Sequence, residues 1–129
     1  MTTPNLEATE ISASQSSQYL TSNALDRVLE QAICGRLVVD FPSDADYTLV
    51  TTAGSEEWRD KFIEFTDVAV PLTAGRDVIF PAKNGPEYII TNSTGFTLTL
   101  KTSGQAGVSI ADGVTGRYYY DGTDIVAAP

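Results

Sequence analysis

The chain contains no histidine, and only one cysteine, one methionine and one tryptophan. The lack of histidine removes the commonest general base, the commonest metal ligand and the usual proton shuttle near neutral pH. A single cysteine, Cys34, rules out a disulfide within the chain. With no histidine or basic cluster beside it to activate a thiolate, it reads as buried filler at the end of a helix. Basic residues are also few: 8 Lys and Arg against 17 Asp and Glu give a formal net charge of −9. Sequence-independent binding to nucleic acid needs clustered Lys and Arg, so no nucleic-acid partner is expected. No apolar run approaches the roughly 20 residues that span a bilayer, so no membrane partner is expected either. The first residues show no basic cluster followed by an apolar stretch, which implies synthesis and assembly in the cytoplasm. Phosphate-cradling glycine loops, Cys/His clusters and nucleophile-elbow motifs are missing. No cofactor, metal or catalytic residue is assigned, and the chain is not expected to be an enzyme.

What the chain does have is hydrophobic residues at 42% and 129 residues in all, enough for one modest domain. Residues 1–18 are polar, with Leu6 and Ile11 isolated among them. They read as a disordered tail or as an arm that orders only against a partner. Residues 22–34 carry Leu25, Val28, Leu29, Ala32 and Ile33 on one helical face. Ser22 is placed to cap the start and Gly35 to end the helix in a left-handed conformation. Such a short amphipathic helix must pack on something, either a sheet of the same chain or copies of itself in a three-fold bundle.

Beyond Arg36 the period becomes two. Strands are predicted at Leu37–Phe41, Tyr47–Thr51, Phe62–Val68, Asp77–Phe80, Glu87–Thr91, Thr97–Thr102, Gly107–Ala111, Arg117–Tyr120 and Asp124–Ala127. Turn signals rich in Gly, Pro, Asn and Asp lie between them. Asp121-Gly122 fits a tight two-residue hairpin turn. No repeat of fixed period is visible. The expected fold is therefore mainly β: a short antiparallel β-sandwich or barrel, preceded by an extended N-terminal arm and one amphipathic helix. Residues 1–35 form an anchoring segment and 36–129 the β-domain.

Three groups of residues bear on chemistry. Asp40, Asp44 and Asp46 could offer oxygens to a cation, but the ordered spacing of a calcium loop is missing, so they read as a polar turn. Glu56, Glu57, Asp60 and Glu64 surround Trp58. Paired carboxylates serve in glycoside cleavage, yet nothing in the spacing fixes two of them at a working separation. Trp58 reads as an anchor to the core or to a partner. In the run Tyr118-Tyr119-Tyr120, Tyr118 and Tyr120 share one strand face while Arg117 and Tyr119 share the other. Tyr and Arg suit interfaces, and flat rings also suit sugars, so Trp58, Tyr118, Tyr119 and Tyr120 are the candidate ligand or interface aromatics.

Two stretches carry a resemblance. Pro4, Leu6, Ser12-Ala13-Ser14-Gln15, Asn23-Ala24-Leu25 and Leu29 follow the N-terminal pattern of a family of tailed-bacteriophage virion proteins. The segment Ser17-Gln18-Tyr19 departs from the basic one usual there, and Asn-Ala-Leu lacks the usual Glu. Asn92, Thr99-Leu100-Lys101-Thr102, Gly104, Val108, Ile110, Gly113 and Asp121-Gly122-Thr123 resemble a β-repeat of phage tail, fibre and head-fibre proteins. Together the two stretches span just over half of the chain. The resemblance implies a structural component of a phage or gene-transfer-agent particle, such as a small head spike, fibre or fibre anchor. Its partners would be copies of itself in a homotrimer and other virion proteins (capsid, portal, tail or fibre), meeting Leu6, Ile11, Leu25, Val28, Leu29, Ala32 and Ile33. The alternative is an adhesin module that binds a host-surface glycan. The implied location is the virion.

Overall fold

In a computed structural model, which describes residues 2–13, 15–52 and 55–129, the chain is mainly β with two sheets and one helix. Helix α1 spans Gln18–Cys34. The strands are β1 (Arg36–Asp40), β2 (Tyr47–Thr48), β3 (Phe62–Thr66), β4 (Arg76–Phe80), β5 (Tyr88–Ser93), β6 (Leu98–Thr102), β7 (Val108–Ile110), β8 (Thr115–Tyr120) and β9 (Ile125–Ala127). Along β3, β5 and β6 buried residues alternate with more exposed ones.

The first sheet has the order β1-β3-β5-β8-β9 and the second β2-β4-β6-β7. Through β6 the chain alternates between the sheets, so each pair of strands forms one rung of a short coil. Strand pairing corrects the antiparallel expectation. β1 with β3, β3 with β5, β2 with β4 and β4 with β6 are parallel. Among the described strands, β5 with β8, β6 with β7 and β8 with β9 run antiparallel. The physical reason is that the early Gly- and Pro-rich segments are crossings between sheets, not hairpins. Each strand then meets its neighbour one full turn later, running the same way. The two final hairpins reverse the chain and close that end of the stack.

The core lies between the sheets. Inward residues stack from rung to rung: Leu37 beside Ile63 beside Ile90, and Val39 beside Phe65 beside Asn92. From the second sheet Val78, Phe80, Leu98, Leu100 and Ile110 face them, all buried. Asn92 is the one fully buried amide of this layer. It donates to the carbonyls of Phe96 and Ile110 and accepts from the backbone N–H and hydroxyl of Thr94. With those bonds made, its burial carries no unmet polar demand.

Several local expectations are corrected. The helix begins four residues before Ser22, after Ser17 at φ 56°, and Ser17 makes no side-chain cap. Gly35 is extended, with φ −60° and ψ 138°. Glycine is needed there for space: a Cβ would lie 2.5 Å from both Asp60 Oδ1 and the Gln31 carbonyl oxygen. Cys34 is exposed, not buried, because it follows the solvent side of α1. The β8–β9 turn has four residues rather than two. Tyr120 pairs with Ile125, and the Asp121 carboxylate accepts from the N–H groups of Thr123 and Asp124 inside the loop. That local bond favours the wider turn.

The largest correction concerns the N-terminus. Residues 2–10 fold back on the β-domain of their own chain: Thr2 bridges Thr9, Ala8 is buried and Leu6 packs against the core. Composition favours a tail because the group that orders this segment, Arg59, lies far along the chain.

Candidate functional site

The acidic group around Trp58 is dispersed by its own hydrogen bonds. Trp58 sits in a 3-10 turn, Glu57–Arg59, and is 1% exposed. It is anchored in the core, where the Tyr88 hydroxyl donates to its carbonyl at 2.5 Å. Glu57 accepts from the Tyr47 hydroxyl at 2.7 Å and from the Val50 N–H at 2.8 Å. Burial, and then this bond to Glu57, push the Tyr47 hydroxyl well above its ordinary pKa. Glu56 pairs with Arg59 at 3.3 Å. Asp60 accepts from the Gln31 amide at 3.1 Å, and burial raises its pKa. Glu64 lies apart, on the outer face of β3, near Arg36 and Ser93.

Arg59 is an anchoring residue that the sequence reading missed. It is 7% exposed. Its Nε donates to the Leu6 carbonyl at 2.8 Å and its Nη2 to the Glu7 carbonyl at 3.1 Å, while the guanidinium lies 5.3 Å from the Trp58 ring centroid. The planar fork of arginine suits this double grip. Lys83 adds an ion pair with Glu7 at 2.6 Å. The only local signal was Arg59 next to Trp58.

Asp40, Asp44 and Asp46 also have partners within the chain. Asp40 accepts from the Thr66 hydroxyl and from the N–H groups of Val68 and Ala69. Asp44 takes the Thr73 hydroxyl and both Nε and Nη2 of Arg76. Asp46 takes the Asp77 N–H. All three tie the first rung to the second. The Thr73 hydroxyl, then Arg76, lower the Asp44 pKa to about 2, and the Thr66 hydroxyl lowers that of Asp40. Among the described residues no cluster of three or more Asp, Glu, Cys or His could hold a metal ion.

The remaining features are surfaces. Helix α1 buries none of its residues. Leu25, Val28 and Ala32 are half-buried, while Leu29 is 52% and Ile33 70% exposed. An open cleft of about 690 Å³ lies between α1, the segment Glu7–Thr9 and the 3-10 turn. Ala24 and Val28 of α1 line it together with Leu37, Val50 and Asp60. Following α1 in the chain, β1 is one of the two edge strands of the first sheet among the described residues, with Val38 exposed. Of the other sequence-level candidates, Leu6 is taken up by the chain's own core and Ile11 is exposed. Tyr118 is buried and Tyr120 packs against the core, which leaves Tyr119 as the outward ring. Among the described residues no helix is long and apolar enough to cross a membrane. Comparison with protein-family models, curated proteins and solved structures returns no match.

Proposed function

We propose that the protein is a small structural component of a bacteriophage particle, a spike, fibre or fibre anchor that works by docking rather than by catalysis. One observation carries this reading: a helix of 17 residues with an apolar stripe stands against the β-domain without burying a single residue. An exposed Leu29–Ile33 ridge is a surface that gains from being covered. The edge strand β1 that follows it, without a second strand neighbour among the described residues, offers backbone groups for strand addition. The carboxylates that could have served hydrolysis are each engaged in holding the fold. The resemblance of the N-terminal segment and of residues 88–126 to virion proteins supplies the setting.

A second reading, recognition of a host glycan, draws on Tyr119, whose exposed ring lies on the same strand face as Arg117. The test of the first reading is to purify particles from a host that produces the chain and to probe them for it by mass spectrometry. The expected result is a fixed copy number, reduced by Leu29→Glu with Ile33→Glu. Particles lacking the wild-type chain would overturn the proposal. The second reading is tested by glycan binding of wild type and Tyr119→Ala, and equal signals would remove it.

A further inference from the structure

The loop between β4 and β5 contains Lys83-Asn84-Gly85-Pro86, and Asn84-Gly85 is the one Asn-Gly step in the chain. The same loop helps to hold the N-terminal segment. Lys83 pairs with Glu7 at 2.6 Å, and the Asn84 amide donates to Asn5 Oδ1 at 3.2 Å. Asn84 is exposed.

Packing requires the glycine at 85. A Cβ there would lie 2.8 Å from the Tyr88 hydroxyl and 3.3 Å from the Trp58 carbonyl oxygen. The fold thus sets beside Asn84 the residue that least hinders attack of a backbone nitrogen on a side-chain amide. Among the described residues no acceptor holds the Gly85 N–H. The other asparagines are worse placed for that attack. Asn92 is fully buried, and both ends of its amide are hydrogen-bonded. Asn23 lies within α1, where the helical backbone is fixed. Asn5 is followed by Leu6, whose side chain crowds the attacking nitrogen.

We propose that Asn84 is a site of spontaneous deamidation, and that the reaction loosens the N-terminal segment from the β-domain. The Gly85 nitrogen gives its proton to hydroxide and attacks Asn84 Cγ. A C–N bond forms, the bond from Cγ to Nδ2 breaks, and ammonia leaves with a proton from water, which regenerates hydroxide. A second water opens the cyclic imide. Cleavage at the former side-chain carbon gives aspartate. Cleavage of the main-chain bond gives isoaspartate, whose backbone runs through Cβ and Cγ. Nothing is oxidised or reduced, and water is the co-reactant. Both products replace a donor amide with a carboxylate that only accepts. The bond to Asn5 Oδ1 is lost, and the new charge competes with Glu7 for Lys83. Isoaspartate also lengthens the backbone, and the added atom has no room inward, where Gly85 already abuts Tyr88 and Trp58. Arg59 then grips the segment without help from this loop.

The experiment ages the full chain at mildly alkaline pH and physiological temperature and locates the exchange of NH2 for OH by peptide mass mapping. The full chain unfolded in guanidinium chloride gives the reference rate. Asn84→Gln, whose larger ring closes slowly, is the unreactive control. Folded wild type is expected to react at Asn84 ahead of Asn5, Asn23 and Asn92, and to yield a more acidic fraction separable by anion exchange. Isomerisation at Asp112-Gly113 or Asp121-Gly122 changes neither mass nor charge, so it does not enter that fraction. There the Thr3 and Ala8 amides should exchange about three- to tenfold faster than in fresh protein, while aged Asn84→Gln keeps its own fresh rate. A folded chain that stays unmodified while the unfolded chain reacts overturns the site. A modified fraction with unchanged exchange at both amides overturns the loosening.

Discussion

Replacing Arg59 by Met should release the N-terminal segment while leaving the two sheets in place. The guanidinium makes two charge-assisted hydrogen bonds to that segment, to the carbonyls of Leu6 and Glu7. Hydrogen bonds to a charged group contribute about 1.5 kcal/mol each at the low end. Removing a buried cation also lifts its desolvation penalty, which offsets part of the loss. A net loss of about 2–3 kcal/mol follows, a large fraction of the stability of a domain this size. If all of it appeared in global unfolding, the melting temperature would fall by about 10 °C. The segment has its own reporters. The Ala8 N–H donates to Thr3 Oγ1 at 3.0 Å, and the Thr3 N–H donates to the Ala8 carbonyl at 2.8 Å. Hydrogen exchange at these two amides should accelerate about 30- to 100-fold in Arg59→Met, since about 1.4 kcal/mol is tenfold. Arg59→Lys keeps the charge but loses the fork, and should fall between the two. Unchanged protection of Ala8 in the Met variant would refute the assignment of Arg59 as the anchor.

Other outcomes can be checked alongside. Phe65→Ala, at a fully buried position between rungs, should lower unfolding stability in urea by about 3–5 kcal/mol. Gly107→Ala should destabilise by more than about 1 kcal/mol: its φ is +74° and a Cβ would lie 2.5 Å from the Leu100 carbonyl oxygen, so an unchanged midpoint would contradict that geometry. Asp44 is an acid whose folded pKa is depressed to about 2 from 3.8. Its contribution is complete above about pH 4 and is lost as pH falls toward about 2. Asp40, Asp121 and Asp124 shift in the same direction and Asp60 in the opposite one. Asp44→Asn should therefore flatten, without abolishing, the decline of thermal stability across that window, and identical pH profiles would refute it.

The strands were legible because an alternating segment is chemically self-evident. Leu98 and Leu100 go in, Thr99 and Lys101 go out, and the structure places them so. Direction was not legible, since parallel and antiparallel strands with one covered face share the same alternation. Nor were the partners of Asp40, Asp44 and Asp46, because each accepts its hydrogen bonds from the next turn of the coil. The docked N-terminus escaped for the same reason: Leu6 and Arg59 are 53 residues apart in sequence. In the candidate site the amphipathic stripe of α1 could be read from its spacing, and so could the two faces of Tyr118–Tyr120.

The winding of the chain also sets the order in which the fold can form. Every parallel pairing joins strands a full circuit apart, so its loop-closure entropy is high. The short-range pairings are the β6–β7 and β8–β9 hairpins, and both leave a ribosome after β1 to β5. The sheets are thus expected to stay unformed until β6 to β9 have emerged and to build backwards from those hairpins, with α1 and the first rung joining late. Nascent chains stalled before Val108 should be degraded by protease as readily as unfolded polypeptide, and resistance at that length would show that the coil can start from the other end.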